Sequence, residues 1–114
     1  MAYVTAGLNA AVDGIAAAGA RISFHTADPG ATGTSEVSGG GYSRPLTTWA
    51  AASGGARVGS QVTASIPAST TVTYWGVWSA ASGGTFLGGF ALAAPEAFGS
   101  AGTIQHTPTL SAIN

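Results

Sequence analysis

The sequence predicts a mainly β fold, an antiparallel, jelly-roll-like β-sandwich with one short N-terminal helix. Three observations lead there. Between Thr70 and Leu92 the side chains alternate with a period of two on both sides of a Gly- and Ser-rich break. Other short stretches alternate in the same way between Gly, Pro and Ser turns, the pattern of a sandwich or small barrel. Helical spacing of apolar residues is confined to the start of the chain. A docking helix over 1–20 and a sandwich over 21–114 are expected to form one domain, since 114 residues are enough to build a core.

Over residues 4–17, Val4, Leu8, Ala11, Val12 and Ile15 recur at helical spacing and make one apolar stripe. Thr5 is placed to cap the start, and Gly19 to supply a left-handed residue at the end. Gly7 and Gly14 each weaken this helix by about 1 kcal/mol relative to Ala. It therefore needs docking, on the sandwich or on a neighbouring subunit. Arg21 to Thr26 alternates cleanly, with Ile22 and Phe24 facing in and Ser23 and His25 facing out. Asp28-Pro29-Gly30 is a turn, in which Pro presets φ and Gly supplies a positive φ. A polar loop then runs to Gly41; loops of this length are usually functional or disordered. Arg44 to Ala52 resumes strand character around Leu46 and Trp49, and Pro45 sets its start at a sheet edge.

After the Ser53-Gly54-Gly55 turn, Val58, Ser60, Val62, Ala64 and Ile66 share one face of a further strand that Pro67 ends. The aromatic hairpin follows. Val72, Tyr74, Gly76 and Trp78 fall on one face, and Thr73, Trp75 and Val77 on the other. Past the loop at 80–84, Phe86, Gly88, Phe90 and Leu92 oppose Leu87, Gly89 and Ala91. This hairpin should supply the middle of the core, because aromatic and β-branched residues fit a pleated, half-buried surface. Pro95 to Phe98 reads as irregular, with Phe98 plugging the core. From Thr103 a last strand puts Ile104, His106, Pro108 and Leu110 on one side.

Composition narrows the function. Seven residues are formally charged and none is lysine, whereas a free soluble domain carries about a quarter charged residues. A surface this poor in charge suits burial against partner subunits. The net charge of -1 offers no basic patch for nucleic acid or anionic membranes, so neither is an expected partner. Without cysteine there are no disulfides or thiolate metal sites. No basic stretch followed by an apolar run opens the chain, so no signal peptide is expected. No apolar run reaches the length of a membrane span.

Catalysis needs titratable groups, and few exist. His25 and His106 lie on separate expected strands without a partner nearby in sequence; each reads as a strand histidine bonded to a loop. Asp28, Glu36 and Glu96 sit in turns or loops at spacings that define no acid/base pair. Gly39-Gly40-Gly41 has no following lysine or helix, and no nucleophile-elbow serine occurs. No enzyme, cofactor or metal is therefore expected. Asp28 and Arg44 bracket the long loop and are expected to close it as an ion pair. Tyr42, Trp49 and Trp75 are candidate interface residues or sugar-stacking contacts.

The combination of HTADPGATGTSE, VSGGGYSRP, IPASTTVTYWGVWSAASGGTFLGGFAL and APEAF, following an AGLNAAVDGIAAAG helix, resembles small virion proteins of tailed bacteriophages. The resemblance runs over essentially the whole chain. It implies a tail-fibre or minor-tail β-sandwich built into the virion. Its implied partners are other virion proteins; composition read on its own, with few charges and many small residues, suits packing against copies of the same chain, with closed symmetry such as a trimer. A capsid decoration protein, or a module that binds host surface glycan, is the alternative. No catalytic residues carry over.

Overall fold

A computed structural model describes residues 5–111, the side chain of Thr5 excepted. The expected Thr5 cap and the Val4 contact lie outside the described residues. The chain is mainly β, with helix α1 (Thr5–Ala18) and strands β1 (Arg21–His25), β2 (Ala56–Val58), β3 (Val62–Ile66), β4 (Thr70–Trp78), β5 (Phe86–Phe98), β6 (Gly102–His106) and β7 (Thr109–Ser111). All pairings are antiparallel, in the order β1-β4-β5, β2-β7 and β3-β6.

The two small sheets are one ribbon interrupted once. Its breaks face each other: residues 59–61 on one strand and Thr107-Pro108 on the other. Pro108 has no N–H to offer the ladder, and three residues oppose two, which is a bulge. The break is tied instead by Gly59 N–H donating to Pro108 O at 2.7 Å. The expected single strand through Val58 and Ile66 is thus divided, and Val58 is exposed while Val62, Ala64 and Ile66 are buried. This ribbon and the β1-β4-β5 sheet form the two layers of a sandwich, in place of the continuous four-stranded sheets of a jelly roll. Ile22, Phe24, Trp75 and Val77 from one layer meet Val62, Ala64, Ile66, Ile104 and Leu110 from the other in one core. Phe24 and Trp75 each reach His106 across the gap, with ring centroids 6.0 and 5.0 Å apart.

Other departures have local causes. Arg44 to Ala52 makes no ladder; it bridges at Arg21↔Leu46 and Trp49↔Gly59, two partners on different layers, so it cannot run as one strand. The segment expected to be irregular, Pro95 to Phe98, extends β5 and pairs with Val72, Thr71 and Thr70 after a register shift. Pro95 adjoins that irregularity, where a ladder N–H is dispensable. Helix α1 docks on the sandwich: Val12 is fully buried, Asn9 Oδ1 accepts from Gly55 N–H at 2.7 Å, and Asp13 pairs with Arg57 at 3.1 Å. Ala11, placed in the apolar stripe by spacing, is exposed. Gly19 is not left-handed. It is small because a Cβ there would strike the Trp78 carbonyl and Leu87.

The largest correction concerns the outer face of β1. Ser23 and His25, expected in solvent, have no exposed surface. The long loop from Thr26 to Pro45 folds over that face as a third layer. Gly33 shows the fit: its φ is +77°, and a Cβ there would run into the Trp78 and Phe86 rings. Gly30 also has positive φ, +61°, but stands in open space. Gly30→Ala should therefore cost only its backbone strain, about 1 kcal/mol. Gly33→Ala adds overpacking and should cost about 2–4 kcal/mol, a difference that chemical denaturation of the two variants reads directly.

Candidate functional site

The loop begins with the expected turn: Gly30 N–H donates to Asp28 Oδ1 at 2.9 Å, and Gly33 and Thr34 N–H both donate to Pro29 O at 3.0 Å. It then returns along the free edge of β1. Thr26 N–H donates to Ser35 O, Val37 N–H to Phe24 O, Ile22 N–H to Pro45 O, and Thr47 N–H to Ala20 O, all at 2.9–3.0 Å. That edge of the sheet is sealed.

Beneath the loop lies a chain of buried polar groups with one consistent proton arrangement. The Trp78 indole N–H donates to Ser23 Oγ at 3.0 Å. The Ser23 hydroxyl is 2.7 Å from His25 Nε2, and His25 Nδ1 is 2.8 Å from Thr34 O. An indole only donates and a carbonyl only accepts. The proton of the neutral ring therefore sits on Nδ1, and Ser23 donates to Nε2. Burial first, then the nearby Arg44 charge, hold the His25 pKa below its ordinary value, against the Thr34 carbonyl and Glu36. A serine bonded to a histidine is the geometry of an activated nucleophile. Here both are fully enclosed and Ser23 Oγ also accepts from Trp78, so the pair serves the packing of the loop.

Arg44 locks this layer. Its Nε and Nη2 donate to the two Glu36 carboxylate oxygens, each at 2.8 Å, and Nη1 donates to Ala80 O and Gly83 O at 3.1 and 3.0 Å. Its guanidinium carbon lies 3.7 Å above the Trp78 ring. Tyr42 Oη donates to Glu36 Oε2 at 2.8 Å and accepts from Phe24 N–H at 3.0 Å. Burial alone would raise the Glu36 pKa, but hydrogen bonds from Arg44 and Tyr42 hold it below the usual value. The Tyr42 phenol is pushed upward, chiefly by burial. The expected Asp28–Arg44 pair is therefore replaced by Glu36–Arg44: Asp28 turns its short side chain onto Gly30 N–H, whereas Glu36 bridges His25 and lies beside Arg44. Glu36, Ser23 and the stacking of Arg44 on Trp78 were not identified from sequence. In the sequence Glu36 stands out only as one of three turn or loop carboxylates, with Asp28 and Glu96, and not as the partner of Arg44.

Two of the surface clefts hold candidate residues. One, of about 380 Å³, lies between the long loop and the hairpin loop and is lined by Glu36, Tyr42, Arg44 and Ser82. The other, of about 280 Å³, is lined by Trp75, Phe90, His106, Thr107, Thr109 and Ser111. There Trp75 stacks on Phe90 with centroids 4.7 Å apart. Among the described residues, His106 Nε2 is the buried side-chain polar atom without a partner, and burial lowers its pKa. Of the three aromatic candidates, Tyr42 belongs to the first cleft and Trp75 to the second. Trp49 donates its indole N–H to Gly19 O at 3.0 Å. The structure does not bring the three together.

Both histidine pKa values lie below the ordinary 6.5, so the folded chain binds fewer protons than the unfolded chain at mildly acidic pH. Stability should be flat above about pH 6.5 and fall below it, more steeply once Glu36 begins to protonate below about 4.5. His106→Phe removes an unsatisfied nitrogen as well as a titrating group, so it should be neutral or stabilising at pH 7 and shallower between pH 6.5 and 5. Urea titrations across that range check both outcomes.

No curated protein shows significant similarity to this chain. The family described as Podophage GP4 fiber I protein gp80 matches residues 4–110, nearly the whole sequence and every element above but the last residue of β7. The chain belongs to that family of podophage fibre proteins, and it is a structural protein of the bacteriophage virion.

Proposed function

We propose that the chain is a tail-fibre or minor-tail subunit, a sandwich held in the particle by contacts with copies of itself and with other virion proteins, and without enzymatic activity. The observation that carries this reading is the contrast between the two edges of the β1-β4-β5 sheet. The β1 edge is sealed by the long loop. Among the described residues no backbone partner covers the β5 edge over Phe86 to Ala91, and Glu96 is the single charged residue in the strand's thirteen. An apolar, unprotected edge is a pairing template that free proteins blunt with charge. Low overall charge supports the same conclusion. Quantitative mass spectrometry of purified particles decides the location. A copy number that is a small multiple of three or six fits a tail fibre, hundreds of copies would make it a capsid decoration protein, and absence from the particle would end the reading.

Glycan contact is the second reading, favoured by the cleft where Thr107, Thr109 and Ser111 surround His106 and Phe90. It is the weaker one, because the Trp75 ring that would stack on a sugar is only 4% exposed and sugar stacking needs a free ring face.

A further inference from the structure

We propose that the free edge of β5 pairs antiparallel with β5 of a second copy of this chain, about a two-fold axis at Gly89. The inference rests on the assembly reading above and gives it a partner and a register. β5 ends the order β1-β4-β5. Among the described residues, no backbone hydrogen bond outside the β4 ladder reaches Phe86 to Ala91. Beyond Ala91 the ladder is irregular and Pro95 follows, features that block edge pairing. The available stretch is therefore 86–91.

Its faces select the register. Gly88 and Phe90 lie opposite Val77 and Trp75 and share the core face, while Gly89 and Ala91 lie opposite Gly76 and Tyr74 on the other. Residues opposed across an antiparallel pair point to the same face. An axis between residues 88 and 89 would oppose unlike faces. An axis at Gly89 sets Gly88 of each copy against Phe90 of the other. A Cβ at Gly88 would meet nothing within 4 Å, so space for an aromatic ring exists there. An aromatic facing a glycine across paired strands is a favourable combination. One edge thus carries both the ring and the gap, which is the self-complementarity of a two-fold interface. Glu96 lies outside the paired stretch, and its two copies fall at opposite ends, so like charges do not meet. This self-complementarity argues for a second copy over an unrelated protein.

The experiment is sedimentation velocity on the full chain and two variants. Gly88→Lys fills open space in the monomer and sets a charge where the second copy's ring would lie. The chain has no cysteine, so Gly88→Cys provides one thiol per copy, about 8 Å apart across the axis and within reach of a short bismaleimide. The wild type should form a dimer at high micromolar concentration. Gly88→Lys should weaken it by about tenfold or more with unchanged circular dichroism, and Gly88→Cys should cross-link into dimers. A wild type that stays monomeric, a trimer, or a dimer that Gly88→Lys leaves intact overturns the pairing. None of these results alters the copy number in the particle, which alone decides the fibre reading.

Discussion

One guanidinium joins three parts of the chain. Arg44 stands near the end of the long loop, grips Glu36 earlier in that loop, sits over the Trp78 ring at the end of β4, and takes the carbonyls of Ala80 and Gly83 in the hairpin loop. Arginine suits this place because a planar, permanently charged fork can bind a carboxylate through two bonds and stack at the same time. Removing its charge would leave the Glu36 carboxylate half-buried and unpaired, a severe penalty for a chain with so few ions. The contact holds down a loop that would otherwise leave Ser23, His25 and Trp78 facing water.

That loop decides which edge of the sheet stays open. By sealing β1 it leaves β5 as the side on which the sheet can grow. The rigid side and the open side are thus two consequences of the same fold. The fibre family membership gives this asymmetry a setting, because a subunit in a virion keeps one side for its own integrity and presents another to its neighbours. The scarcity of charge fits the same division: the ions present are mostly spent on internal ties, Glu36 with Arg44 and Asp13 with Arg57.

Much of the two-layer frame was legible in the sequence. Alternation located β1, β4 and the start of β5, and helical spacing located α1 to within a residue of its end. Alternation along a single strand describes that strand's two faces and says nothing about what lies over them. Ser23 and His25 therefore read as solvent-facing, although a distant loop buries them. The bond from His25 to that loop was expected, since a polar strand residue needs a partner; its depth was not. The Arg44 tie was expected with the wrong acid, because sequence spacing cannot tell a carboxylate spent on its own turn from one free to reach. The division of the ribbon had visible signals in Gly59 and Pro108, which gain meaning only once the two are known to be opposite each other.

The claim at the centre is that the loop from Thr26 to Pro45 is a structural layer held by Arg44. Amide hydrogen exchange on the wild type and on Arg44→Lys tests it most directly. The account predicts that the amides of Ile22, Phe24, Thr26 and Val37 are protected in the wild type. It also predicts that they lose protection together in Arg44→Lys, while those of Val62 to Ile66 in β3 keep theirs. Free exchange of those four amides in the wild type, or protection unchanged by the substitution, would contradict it.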